Sequence, residues 1–403
     1  MSALIRDLVD QVREACAEPR YAELKSMWTA HNRLQKAPKV PVYIHLHRGY
    51  TRTWREIIPP DVLVSADPLE RDIELQLRQK LFRHRHIPDD EVLLPTIWLE
   101  PIRPADRPPL WGVNLESEDP DCPEGAYTFR PAVRDEADFA QLRQPHYQID
   151  EPATAALVER ARELVGDALP VKLLTNELHA CPAESLVKFL GWESYLYSFL
   201  ERPQFVHEMM GFLTDSFIAY QQEREAKGAV DAESSWPFRV HYEELGPDEP
   251  ADRLRSCWLY VAAQSTGTIS PAMYAEFVHP YNERIVGLYG EHRIYYHGCE
   301  DLTPKLDIIA QLPGLRRFDV GAWTDLAACV AKFERRVVLE VQVHPGKTIL
   351  SADPAEMRRD LERIVSIAGD CIIDVNLSDV ETVKGDPSIL TTWARIAQEV
   401  TGG

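Results

Sequence analysis

From Asp150 to the end, the chain alternates between two kinds of segment. Short apolar runs rich in β-branched and aromatic residues, such as "LPVKLLTNE", "SCWLYVAAQ", "HRIYYHGC", "LRRFDVGA", "RVVLEVQV" and "CIIDVNLS", are separated by stretches with helical periodicity. Strands alternating with helices build βαβ units and a parallel sheet. Strand candidates fall around residues 172, 259, 296, 318, 340 and 374, and two more lie upstream, near 43 and near 95 or 112. Eight strands predict a closed (β/α)8 TIM barrel, with an open doubly wound sheet as the competing arrangement. No glycine-rich phosphate loop follows any strand, which counts against the dinucleotide-binding version of that competitor. The first ~35 residues predict one helix or two, from the roughly four-residue spacing of Leu4, Leu8, Val12 and Cys16. Residues 88–150 are rich in proline and predict loops and short strands.

Composition narrows the partners. The 403 residues carry 44 basic and 64 acidic side chains, a net charge of −20, which argues against nucleic acid or an anionic membrane as partner. No apolar run approaches the ~20 residues of a membrane span, and the N-terminus lacks the pattern of a signal peptide. Seven scattered cysteines predict reduced thiols, and the expected location is cytoplasmic.

In a parallel barrel the working face is the C-terminal end of the strands. By that rule "RIYYHGCEDLTPKLD" places His297 and Cys299 on the working face. A neutral imidazole and a thiolate are natural ligands for Zn²⁺, and a catalytic zinc keeps one position open. The remaining ligand is sought among carboxylates at other strand ends: Asp319, Glu300 or Asp379. Each has an alternative reading as a helix cap, and Asp301 and Asp325 read as caps outright. His344, closing "VQVHPGK", is a candidate acid or base. In "YIHLHRGYTRTW", His45 and His47 share one strand face and Arg48 follows, a guanidinium suited to clamping a carboxylate. Trp98, Trp111, Trp236 and Trp323 are candidate pocket walls, Trp323 foremost.

The order of these segments resembles the uroporphyrinogen decarboxylase superfamily. The stretch "WLYVAAQSTGTISPAMYAEFVHPYNERIVGLYG…RIYYHGCEDLTPKLDIIAQLPGLRRFDVGAW" carries the resemblance, and "LYSFLERPQFVHEMMGFLTDSFIAYQQEREAKGA" looks like a helical segment common in that family. The ending "DVNLSDVETVKGDPSILTTWARIAQEV" is similar to the close of its corrinoid-linked methyltransferase branch. The resemblance covers residues 140–403 well and the N-terminal third loosely. It implies one barrel domain over 1–403, with residues 1–40 as a helical extension.

The resemblance further implies a zinc-dependent methyltransferase that moves a methyl group between a small methylated substrate or thiol and a separate corrinoid (cobalamin) protein. His297 and Cys299 match the family's zinc pair, with Asp319 the expected third ligand. His344 and Glu300 are the expected catalytic groups, and His45, His47, Arg48, Trp323 and Asp379 the expected substrate contacts. Zinc methyltransferases also carry a distant downstream cysteine. Cys371 has a comparable separation but begins the last strand, on the stability face, while Ser378 and Asp379 stand where that cysteine is expected. A cofactor-free decarboxylase of uroporphyrinogen or another polycarboxylate, and a non-catalytic ligand-binding barrel, are the competing functions. Dimers are usual for the fold.

Overall fold

The computed structural model describes residues 3–35, 37–118, 128–235, 242–290 and 293–402. Eight short parallel strands form the barrel wall: β1 Val42–Ile44, β2 Ile97–Leu99, β3 Val171–Leu173, β4 Leu259–Ala262, β5 Ile294–His297, β6 Leu315–Val320, β7 Val338–Val343 and β8 Ile373–Leu377. Helices fill the connections, so the TIM-barrel-like α/β fold read from the sequence is present. Six strands form one continuous ladder in the order β1-β8-β7-β6-β5-β4, and β2 pairs with β3 in a separate ladder. The residue 95 alternative for the second strand is the correct one, since 111–113 form a turn.

Two seams interrupt the wall. At the β3/β4 seam one parallel bridge, Ala180 to Val261, is the connection. At the β1/β2 seam the amides of β1 are satisfied by side chains. Val42 N donates to Asp90 Oδ2 and Ile44 N to Asp89 Oδ2, each at 2.9 Å. Two adjacent carboxylates thus take the place of a partner strand's carbonyls.

Prolines set the helix boundaries. Pro19 starts a second N-terminal helix, so the leading segment forms two, Ala3–Cys16 and Pro19–Asn32. Pro203 starts Pro203–Ala226 directly after Trp192–Glu201. Residues 270–290 likewise hold two helices, Pro271–Phe277 and His279–Val286. The described residues of the proline-rich 88–150 region are irregular as expected, apart from β2, a short antiparallel pair (Ser117–Glu118 with Thr128–Phe129) and a four-residue helix. Asp325 caps Leu326–Phe333 through the amides of Ala327 and Ala328, and Asp301 accepts from Thr303 N.

The core has two main parts. One runs between strands and helices around most of the barrel. The other joins Ala3–Cys16, Pro68–His86 and Glu151–Val165 over the β2–β3 pair, through residues such as Ile5, Val12, Leu77, Ile97 and Leu164. Apolar side chains face outward from the strands, and the barrel lumen is filled by polar groups. Arg317, 0% exposed, pairs with Glu340 and Asp374 at 2.9 Å each. Its Nη1 also donates to Asn32 Oδ1, and His31 lies 2.7 Å from Asp374. His31 and Asn32 end the helix Pro19–Asn32, which therefore seals the N-terminal end of the lumen.

Candidate functional site

Above that charged floor the lumen side chains are hydrogen-bonded toward the C-terminal end. Tyr295 Oη donates to Glu340 Oε1 at 3.0 Å, and Asn376 Nδ2 donates to the same oxygen at 2.8 Å and to Tyr43 Oη at 2.9 Å. The next residues inward along β5 and β6 are His297 and Asp319, 2% and 0% exposed. His297 Nδ1 lies 2.7 Å from Asp319 Oδ2 and 3.0 Å from Tyr295 Oη. The Tyr295 hydrogen is committed to Glu340, so both neighbours of Nδ1 are acceptors and the ring proton belongs on Nδ1. The bare Nε2 then faces Cys299 Sγ at 3.4 Å. Asp319 is itself fixed by Gln342 Nε2 at 2.6 Å and by the Gly298 amide at 3.2 Å. Tyr260 flanks the imidazole, with ring centroids 5.2 Å apart.

Two glycines allow this approach. A Cβ on Gly321 would come 2.9 Å from the Gly298 carbonyl oxygen, and one on Gly298 would come 2.7 Å from Glu300 Oε2. A larger residue at 321 would push against the Gly298 backbone and separate the ends of β5 and β6, and with them His297 and Asp319, whereas one at 298 would crowd the Glu300 and Leu302 side chains.

Chemically, this is a carboxylate–imidazole–thiol line with its sulfur at the mouth. It can hold a thiol proton on Nε2, or present Nε2 and Sγ together to a cation. Zinc bonds of ~2.0–2.1 Å to nitrogen and ~2.3 Å to sulfur at tetrahedral angles separate the two donors by about 3.5 Å. The 3.4 Å spacing fits that pair. Asp319 sits on the outer ring nitrogen, the place of a carboxylate that orients a metal-bound histidine. It therefore does not join Nε2 and Sγ as a third donor. Among the described residues no three His, Cys, Asp or Glu side chains form a metal-holding group. Ser378, 1% exposed just beyond β8, has a buried hydroxyl with no hydrogen-bond partner.

The other expected residues fall into separate groups, with His45, His47 and Arg48 around one cavity and His344 beside Trp323. Glu300 lies against Gly298 and Gly267; both its oxygens are buried without a hydrogen-bond partner. Burial pushes its carboxyl up to about 7, with Lys305 opposing and Glu184 and Asp319 adding to the rise. His344 is the N-cap of the short helix Pro345–Ser351, its Nδ1 accepting from Lys347 N, and Trp323, 67% exposed, meets it edge-on at 5.7 Å. Asp379 has a left-handed φ of 54° and lies 3.7 Å from His47 Nε2; the His45 and His47 rings are 5.1 Å apart.

Arg48 lies over the Trp98 ring beside a cavity of about 170 Å³ that Lys80, Arg83 and Glu91 also line. Burial lowers the Lys80 ammonium to about 8 and raises Glu91 to about 7. Cys371 precedes β8, at the opposite end of the strand from the site. Trp111 is core, and Trp236 lies outside the described residues. Tyr295, Glu340, Gln342 and Asn376 are the members of the network that the sequence reading missed. The available signal was their every-second-residue spacing within strands otherwise apolar.

A family model described as uroporphyrinogen decarboxylase (URO-D) matches residues 257–373, from just before β4 to the start of β8. This bears out the resemblance seen in the sequence. No curated protein matches the chain. Among solved structures, a methyltransferase from Methanosarcina mazei is similar in fold. Its TM-score is 0.55 at 14% identity, covering 93% of this chain and 98% of that one.

Proposed function

We propose that this uroporphyrinogen-decarboxylase-like barrel is a methyltransferase whose reacting centre is built on His297 and Cys299. The observation that carries the reading is the Asp319–His297–Cys299 line, which leaves one bare imidazole nitrogen and one sulfur side by side at the mouth. The URO-D match and the methyltransferase of similar fold support it. His297 Nε2 and Cys299 Sγ would hold Zn²⁺, which when bound supplies a Lewis acid for an acceptor thiol or for the heteroatom of a methylated donor. The chain's own part is to fix the imidazole through Asp319 and Tyr295, to keep the proton on Nδ1, and to exclude water beneath the site with the packed lumen. The other station of the methyl group is a separate corrinoid protein, and the substrate is a small molecule.

Metal content and transfer of labelled methyl from methylcobalamin to a small thiol test this. Near-stoichiometric zinc, lost in His297→Ala and Cys299→Ala together with at least a hundredfold of rate, is expected. Sub-stoichiometric zinc indifferent to both changes would sink the metal assignment.

A second reading, cofactor-free decarboxylation of a polycarboxylate, draws on the Arg48, Lys80 and Arg83 side chains around one cavity. Loss of carbon dioxide from such a substrate by metal-free protein would favour it.

A further inference from the structure

A second cavity, of about 350 Å³, lies at the β3/β4 seam between the 109–115 loop and the helices Pro182–Leu190 and Pro203–Ala226. Its volume is in the range of small-molecule sites, which combine apolar walls with a few placed polar groups. The apolar surface that a guest can reach belongs mainly to the loop. Trp111 keeps 8% of its surface open, and Leu110, Val113 and Leu115 are partly exposed. Phe189, itself sealed, holds the Trp111 ring edge to face at 90° with centroids 5.5 Å apart.

The polar groups within reach are donors. Ser185 and Lys188 lie one turn apart on the helix Pro182–Leu190, and Asn114 is on the loop; all three line the cavity and are wholly or partly open to solvent. Among the described residues none of these side chains has a hydrogen-bond or ion-pair partner, and Lys188 Nζ rests 6.0 Å from the centre of the Phe129 ring. The cause lies one turn earlier. Glu184 is placed to pair with Lys188 along the helix, but it turns to the backbone after β4. Its Oε1 accepts from Ser265 N at 3.3 Å and its Oε2 is sealed from solvent, so this carboxylate meets neither Lys188 nor a guest. The other carboxylate in the lining, Glu177, is matched by Arg103 at 3.1 Å and Arg107 at 2.9 Å and accepts from Tyr220 Oη at 3.0 Å. His179, exposed in the same lining, adds an imidazole and no negative charge. The cavity thus presents an ammonium, a hydroxyl and a carboxamide beside apolar surface, a donor set suited to a carboxylate.

We infer that this cavity binds a small carboxylic acid with a compact apolar body, the carboxylate on Lys188 Nζ and Ser185 Oγ and the body against Trp111 and Val113. The site lies among the helices and loop outside the barrel wall and stands independently of the methyl-transfer reading.

Calorimetric titration of the full chain with benzoate, benzamide and acetate tests the assignment. Benzamide keeps the ring without the charge, and acetate keeps the charge without the ring. Benzoate is expected to bind about fivefold or more tightly than either. Lys188→Met should bring benzoate down to the level of benzamide and leave benzamide unchanged. Val113→Phe should abolish benzoate binding by filling the cavity from the loop; should it not fold, Leu213→Phe fills the same space from the helix. The inference is overturned by benzoate binding no tighter than benzamide or acetate, or by a preference that survives Lys188→Met. Benzamide binding lost with Lys188→Met, or benzoate binding that persists in a folded, cavity-filled variant, would overturn it equally.

Discussion

At the scale of single residues, the site depends on what surrounds one imidazole. Asp319→Asn keeps the size of the side chain and removes the charge beside Nδ1. Orienting carboxylates of this kind are worth ~10–100-fold in metal affinity or activity. A loss of that size, measured as zinc affinity and as transfer rate, is expected with little change in the unfolding midpoint. An unchanged rate would mean that Tyr295 alone sets the ring. Glu300 offers a different measurement. Its carboxyl is raised to about 7 from an ordinary 4.5, so between those pH values the folded protein holds a proton that the unfolded chain releases. Stability from this group therefore falls as pH rises through that window. Glu300→Gln should unfold like the parent below pH 4.5 and be more stable above pH 7, by about 2–3 kcal/mol. Equal denaturant midpoints at pH 8 would contradict this.

At the scale of elements, a cap and a catalytic group are separable by substitution. His344 accepts the Lys347 amide as N-cap of Pro345–Ser351. Asn at this position keeps a capping acceptor and removes the imidazole, whereas Ala removes both. If His344 serves only the helix, His344→Asn should retain activity while His344→Ala loses ~1 kcal/mol of stability. A rate lost equally in both would assign the imidazole to chemistry.

The same contrast explains what was legible in advance. Strand positions and the Asp325 cap follow from local chemistry and were readable. The placement of His297 and Cys299 at the C-terminal end of a barrel strand was readable from the apolar run that precedes them. The contact of Asp319 with His297 was not, because a carboxylate at a strand end looks the same whether it ligates, caps or orients. Only the register of β5 against β6 puts it beside Nδ1. Glu340, Gln342 and Asn376 escaped for a related reason: alternate polar residues in a strand ordinarily face water, and here they face a lumen closed by another element.

At the scale of the molecule, the lumen is held together by charge. Arg317 joins Glu340, Asp374 and the sealing helix. Arg317→Ala would leave two fully buried carboxylates without their cation, and breaking such a pair costs ~3–5 kcal/mol. A loss of that size in urea unfolding is expected, and a change under 1 kcal/mol would show that water replaces the guanidinium there. The two seams carry a further consequence. The β2–β3 pair has its own apolar cluster and meets the six-stranded ladder through one bridge on one side and two aspartates on the other. Native-state amide exchange should therefore divide the wall into two opening units, with β2 and β3 protons exchanging together and earlier than those of β5 to β8. The 350 Å³ cavity borders one seam and the Arg48 cavity the other, so a molecule seated in either would slow exchange across the whole β2–β3 unit.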